Sequence, residues 1–223
     1  MRVLDLTQPL DERTVLWPDS TPFSAPGPDG YDEEGFWWRE LRTPEHAGTH
    51  LDAPVHVVPG GAAVGDIPAE QLVRPAVRID VRALCDGDPS WTLAAADVEA
   101  WEAEHGRVPA GAAVLLCTGW DAYHEDAARY GGEPLAFPGF GPGAAALLVE
   151  RGAAGLGIDT LGVDAGAATD FPVHQIALPA GLWHLEGLIG LDAVPPTGAT
   201  LVVGALRLPN ASGTPARVFA LVP

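Results

Sequence analysis

His46-Ala47-Gly48-Thr49-His50-Leu51-Asp52-Ala53-Pro54-Val55-His56 holds three of the chain's seven histidines, with an aspartate between them. Seven histidines scattered over 223 residues would place about a third of one in such a window by chance. Imidazole and carboxylate together suit Zn²⁺, Mn²⁺ or a similar divalent ion. In a straight strand His46 and His50 would stand roughly 13 Å apart, too far to share an ion with ligand bonds of about 2.1 Å. A helix would align them, yet Gly48 and Pro54 oppose one. The expected solution is a tight bend at Gly48 that folds His46 and His50 together. Asp52 then points to the same side as His50 in extended chain, and His56, beyond Pro54, reaches the cavity from its edge. The bland alternative is a polar loop whose histidines only make hydrogen bonds. A His-x-x-x-His-x-Asp run beside Gly and Pro has no evident structural use of that kind.

Outward from this segment, short apolar runs alternate with turn residues. Val3-Leu4-Asp5-Leu6-Thr7 reads as a strand ended by Gln8-Pro9-Leu10, and residues 11–35, rich in Pro, Gly, Asp and Ser, as a long loop. Residues 36–41 are aromatic and strand-prone, leading into the histidines. Residues 67–73 read as a short helix, with Asp66 as N-cap and Pro68 in the first turn. Strands follow over 76–81, 112–117 and 155–159, with helices over 92–104 and 143–151 ended by Gly106 and Gly152. Residues 200–206 and 216–222 are late strands joined by a turn at Asn210-Ala211-Ser212-Gly213. Few helices among many strands imply an α/β or α+β arrangement around a mostly buried sheet. No linker or repeat divides the chain, so residues 1–223 are expected to form a single domain.

Composition narrows the function. At 47% hydrophobic residues and a mean hydropathy of +0.12 the chain can bury a large core. Thirty acidic against 12 basic side chains give a net charge of −18, which opposes nucleic acid and anionic membranes as partners and leaves a small-molecule substrate. A local metal site can still override that field. Cys85 and Cys117 lie in apolar surroundings and are expected to be reduced and buried. Met1-Arg2-Val3-Leu4-Asp5-Leu6 places an acid where a signal peptide would continue its apolar stretch, and no apolar run is long enough to span a bilayer. A cytoplasmic location is expected.

Residues 46–56 match the His-x-Gly-Thr-His-x-Asp-x-Pro-x-His signature of the metal-dependent cyclase family, whose best-known branch is bacterial kynurenine formamidase. The likeness extends along nearly the whole chain. Leu4-Asp5-Leu6-Thr7-Gln8-Pro9-Leu10 resembles the family's opening strand. Trp17-Pro18-Asp19-Ser20-Thr21-Pro22-Phe23 resembles its Trp-Pro-Gly-Asp-x-Pro stretch, and Leu116-Cys117-Thr118-Gly119-Trp120 its Thr-Gly-Trp strand end. Gly157-Ile158-Asp159-Thr160 is similar to its Gly-x-Asp-Thr turn, and Ser212-Gly213-Thr214-Pro215-Ala216-Arg217 to its closing Gly-Ser-Pro-x-Arg run. The resemblance implies an α/β fold of the swivelling β/β/α type: a central mixed β-sheet flanked by helices and β-hairpin extensions, paired into a homodimer or higher homo-oligomer. It implies one metal on His46, His50 and Asp52, and a second that shares Asp52 and adds His174 and Glu186. His56 matches the family's proton shuttle. Asp19 directly after Pro18, Gly187 after the glutamate and Gly162 near Asp164 depart from the pattern. They bear on the substrate pocket, not on the ligands.

The expected enzyme is a metal-dependent hydrolase that cleaves a C–N bond of a small aryl formamide, N-formylkynurenine first. It uses one or two divalent ions per chain, zinc ahead of manganese. No Ser or Cys nucleophile is required, and a Gly-x-Ser-x-Gly elbow is absent from the sequence. A lactone or cyclic-amide hydrolase, or a polyketide-type cyclase, is the alternative on the same metal site. A metal-binding homologue without turnover is the alternative of another class. Trp17 is expected to stack on the aryl group, with a core tryptophan the competing reading. His174 and Glu186 are single residues in plain contexts, and His184 shares the face of Glu186 if that segment is a strand, as a support, a substrate contact or a packed histidine. His105 is read as a helix-end residue and His124 as a helix-surface one. At most one of Trp37 and Trp38 is expected to line a pocket. Asp159 and Asp164 support the site or cap turns.

Overall fold

Period-two burial, not helix periodicity, organises this chain. The computed structural model describes residues 1–223. Its strands are β1 (Arg2–Asp5), β2 (His50–Asp52), β3 (Val73–Asp80), β4 (Thr92–Leu93), β5 (Ala113–Cys117), β6 (Gly139–Phe140), β7 (Gly155–Ile158), β8 (Trp183–Glu186), β9 (Ala199–Ala205) and β10 (Gly213–Val222). The helices are α1 (Arg82–Cys85), α2 (Ala95–His105), α3 (Ala127–Tyr130), α4 (Pro142–Glu150) and α5 (Pro172–Ala177). All strands but β4 and β6 join one sheet in the order β1-β10-β2-β8-β7-β5-β3-β9. β3, β5, β7 and β8 run parallel and the other pairs antiparallel. The mixed sheet matches the expectation, but it also closes on itself. β10 pairs through Gly213–Pro215 with β2, through its far end with β1, and along its other edge with β9.

Alternate residues of the strands feed two cores. Ala113, Leu115, Leu185, Leu201 and Val218 pack together inside the closed sheet. Val114, Leu116, Leu156 and Ile158 face outward onto Val98 and Trp101 of α2, Ala144 and Leu148 of α4, and Val173 of α5. A parallel strand buried on both faces reads as a continuous apolar run, which is how Ala113–Cys117 appears in the sequence. The same alternation sorts β2 and β8. Leu51, Trp183 and Leu185 point inward, so His50, Asp52, His184 and Glu186 take the outer face beside α5.

Three local expectations are corrected. Residues 36–41 form no strand: Phe36, Trp37, Trp38 and Leu41 are exposed, and the pairing with residues 24–26 is confined to the Arg42–Ser24 bridge and the Glu40 N–H on the Pro26 carbonyl. Aromatic propensity without a partner edge does not make a ladder. The helix expected over 67–73 is replaced by two 3-10 turns, Val64–Asp66 and Ala69–Gln71, because Pro68 stands extended between them. The helix expected from Thr92 starts at Ala95, since Thr92 and Leu93 pair with β6 and Asp97 accepts the Ala94 N–H. Cys85 and Cys117 are buried and unpaired, as expected. No helix is long and apolar enough to cross a membrane.

One glycine sets the tightness of the β7–β8 pair. Gly155 lies opposite Trp183, whose indole N–H donates to the Gln71 carbonyl, and a Cβ on Gly155 would meet the indole at 2.2 Å. Gly155→Ala is expected to destabilise the protein by about 1–3 kcal/mol. The urea unfolding midpoint reads this, and an unchanged midpoint would mean that the indole is free to move aside.

Candidate metal centre

β2 and β8 form a two-by-two patch. His50 lies directly opposite Glu186, and Asp52 opposite His184. Directly opposed residues of an antiparallel pair bring their Cβ atoms within about 4.5–5.5 Å, so the register alone gathers two imidazoles and two carboxylates. The chain enters the patch through Gly48 at φ +58°, the bend expected from the spacing of His46 and His50. The two rings sit edge to face with centroids 5.3 Å apart. Across the pair Gly187, at φ +66°, lies so close that a Cβ would be 2.5 Å from the Gly48 carbonyl oxygen. The Gly187 carbonyl accepts from Thr49 Oγ1 and Gln8 Nε2, which fixes the residue after Glu186.

α5 supplies the fifth group. The Asp164 carboxylate accepts the backbone N–H groups of Val173 and His174 and, at 2.6 Å, the ring Nδ1–H of His174. That bond turns Nε2 toward the patch. His50 is set the same way, its Nδ1–H donating to the Gly48 carbonyl at 2.9 Å. A carboxylate or carbonyl behind the distal nitrogen is the usual device for aiming a ligating imidazole.

Distances show what fits the patch. His50 Nε2 is 3.3 Å from both Asp52 Oδ1 and Glu186 Oε2. His174 Nε2 is 3.5 Å from Asp52 Oδ2 and 3.6 Å from Glu186 Oε1. Ligand bonds of about 2.1 Å in a tetrahedron place donor atoms about 3.4 Å apart. The separations are therefore ligand–ligand edges, longer than good hydrogen bonds. His184 Nδ1 lies 3.9 Å from Asp52 Oδ2. His50 Nε2, Asp52 Oδ2 and both ring nitrogens of His184 are buried with no hydrogen-bond partner. Leaving such atoms unsatisfied costs about 1–3 kcal/mol each, and a shared cation accounts for them together. Asp52, His174, His184 and Glu186 form one set able to hold a divalent ion; His46, Asp52 and His56 form another.

Electrostatics agree with that fit. Burial alone would drive His50 to its neutral form, but Asp52 and Glu186 outweigh it and lift the pKa well above the ordinary histidine value. Burial likewise opposes charge on His174, yet Asp164 and Asp52 push its pKa up to about 10. Asp52 is held well below the carboxylate range, with the charge of His50 overcoming burial. His184 is driven well down by burial and the neighbouring His174 charge. Without metal, protons stand in for the cation.

The patch floors a cavity of about 450 Å³. Trp17, Leu161, Phe171 and Val57 form its apolar wall, and His46, His50, His56, His174 and Glu186 its polar one. Trp17 lies 5.8 Å from Phe171, centroid to centroid, and 6.5 Å from Phe137. Every metal-site residue expected from sequence is at this cavity or its floor, and Trp17 lines it. Trp37 and Trp38 do not, and His105 and His124 lie elsewhere, at the end of α2 and beyond the turn at Trp120–Tyr123. Asp159 accepts from Thr118 and Gly119 and so ties the ends of β5 and β7, with burial pushing its pKa up to about 7. Phe171 was not legible as a site residue. His184 was visible only as the alternate of Glu186, a mirror of the His50-x-Asp52 pair.

This framework is that of a hydrolase that works through bound metal. Comparison with known proteins agrees: the family described as putative cyclase matches residues 4–165. Isatin hydrolase of Roseibium aggregatum is 34% identical, with 86% of this chain and 78% of that protein covered. Kynurenine formamidase of Sphingopyxis alaskensis is 31% identical, with 98% and 97% covered. The solved structure of isatin hydrolase A from Ralstonia solanacearum aligns with a TM-score of 0.92 at 36% identity, covering 100% of this chain and 92% of that one. The chain belongs to the cyclase family of metal-dependent hydrolases.

Raised pKa values on His50 and His174 mean that metal must displace protons to bind. Zinc titration calorimetry in buffers of different ionisation heat is expected to show proton release. Affinity is expected to strengthen as pH rises from about 6 to 8. Affinity independent of pH over that range would contradict protonated His50 and His174 in the metal-free site.

Proposed function

We propose that this protein hydrolyses the C–N bond of a small, uncharged aryl amide, with cyclic amides of the isatin kind preferred. The observation that carries this is the cavity lining. Aromatic and apolar groups face the metal patch, Ser20 and Gln175 are neutral polar groups at its edge, and no Lys or Arg lines it. Asp164 and Glu186 are its carboxylates. N-formylkynurenine carries an amino-acid tail whose carboxylate would meet no Lys or Arg there, in a chain of net charge −18. A flat neutral bicyclic amide needs only the aromatic wall and the patch. The relatives named as isatin hydrolases support this reading. The acyclic aryl formamide remains the second reading, favoured by kynurenine formamidases that match nearly the whole chain.

His46, His50, Asp52, His174, His184 and Glu186 would hold the ion or ions. When bound, a divalent ion lowers the pKa of a water molecule to roughly 7 and polarises a carbonyl oxygen. The chain does the rest. Trp17 and Phe171 orient the aryl ring so that its amide carbon faces the patch. His56 stacks on His46 at 4.1 Å, lies 5.7 Å from His174, and opens to the cavity. Partial burial, with the imidazoles beside it, holds its pKa below the usual histidine value. Neutral His56 can therefore accept a proton released as the water oxygen bonds to the carbonyl carbon. It returns that proton to the nitrogen as the C–N bond breaks.

The zinc-loaded enzyme is expected to show kcat/KM for isatin at least about tenfold above that for N-formylkynurenine, a difference of about 1.4 kcal/mol in transition-state binding. A preference for N-formylkynurenine would transfer the assignment to the second reading. His56→Ala is expected to retain metal and lose about 10²–10⁴-fold in kcat, most for poor leaving groups. Loss of metal in that variant would make His56 a ligand instead of a proton carrier.

A further inference from the structure

His46 differs from the other imidazoles of the patch in which nitrogen it turns inward. His50 and His174 donate through Nδ1 to groups behind them and present Nε2. His46 is reversed: Nδ1 lies 2.7 Å from Asp52 Oδ1, and Nε2 lies 3.0 Å from Ser212 Oγ. The Ser212 hydroxyl donates to Glu45 Oε2 at 2.6 Å, and the same oxygen accepts the backbone N–H groups of Ser212 and Gly213. A hydroxyl has one proton to donate. With that proton committed to Glu45, Ser212 can only accept from His46, so the Nε2 of His46 carries hydrogen. Nδ1 is left as the nitrogen that faces Asp52, within hydrogen-bond distance of its carboxylate, and so the one that a cation held by Asp52 would meet.

Packing holds the ring in that setting. A Cβ on Gly213 would stand 2.5 Å from His46 Cε1, so only a glycine lets β10 begin against the imidazole. The opposite contact is the ring of His56. Asp52, His46 and Ser212 share the connectivity of a Ser-His-Asp triad, but the serine proton points away from the histidine, toward Glu45. That excludes an activated serine nucleophile, since the triad requires the hydroxyl to donate to the imidazole.

The geometry points to Glu45 and Ser212 as a pair of positioning residues that fix the Nε2–H tautomer of His46 and so direct its Nδ1 to the metal. This rests on the metal centre proposed above. It extends that centre by two residues from opposite ends of the chain, neither of which touches the ion. Because His56 stacks on the same ring, the clamp also fixes the platform of the proton carrier.

Long-range ¹H–¹⁵N spectra of histidine-labelled, zinc-loaded wild-type protein test the assignment directly. His46 is expected to show a metal-bound Nδ1 and a protonated Nε2, with its signals identified by their loss in His46→Gln. Zinc affinity, measured by chelator competition, is expected to fall about 10–100-fold in Ser212→Ala. Ser212→Thr, which keeps the hydroxyl, is expected to restore most of it. A metal-bound Nε2 on His46, or unchanged affinity in a folded Ser212→Ala protein, would overturn this inference and leave the metal centre standing. Failure of the wild-type protein to bind zinc would overturn both. The wild-type spectrum decides the tautomer even if Ser212→Ala does not fold.

Discussion

Asp52 and Glu186 are buried together against the imidazoles of His50, His174 and His184, and Asp52 Oδ2 is left with no hydrogen-bond partner. Two carboxylates withdrawn from water repel each other and lose hydration, at a cost of several kcal/mol per uncompensated ion. Only positive charge between them makes the arrangement tolerable, and much of the surrounding structure serves to keep that charge in place. The β2–β8 register opposes each carboxylate to an imidazole. Gly48 and Gly187, both left-handed, let the two strands' ends approach. Asp164 aims His174 from behind, and β10 closes the sheet against the outer edge of β2.

What the sequence revealed followed from how local each feature is. The ligand density of residues 46–56 was legible because the donors are neighbours in the chain, and the bend at Gly48 followed from ligand distances alone. His174 and Glu186 stand more than a hundred residues further on, and only a family likeness drew them in. β2 and β8 gave no strand signal, because their outer faces carry His, Asp and Glu where alternation would show ordinary polar residues. Sheet closure was equally hidden. It depends on β9 and β10 pairing around a register that no local pattern encodes. Residues 36–41 show the converse failure, with strong strand propensity and only a loop at residues 24–26 to pair with.

The cavity sets a strongly polar side, with the carboxylates and imidazoles, against an apolar wall without cations. Electrostatic attraction in it is concentrated where bond cleavage would occur, and the walls sort molecules by shape and apolar area. In a site of this kind, an added charge on a substrate must find a partner or pay for its lost hydration. A wall without Lys or Arg offers no such partner. Gly162 contributes on the same wall: a Cβ there would meet Phe137 at an ordinary 3.6 Å, so the glycine keeps space open for substrate without being required by packing.

Phe171 sits at φ +47°, a backbone state that a bulky side chain occupies only at a cost of about 1–3 kcal/mol. Glycine at that position would relieve the cost and remove half of the aromatic wall. Two selection pressures therefore pull one codon in opposite directions. Against that relief stand the lost packing of Phe171 on Trp17 and His174 and the greater freedom of glycine in the unfolded chain.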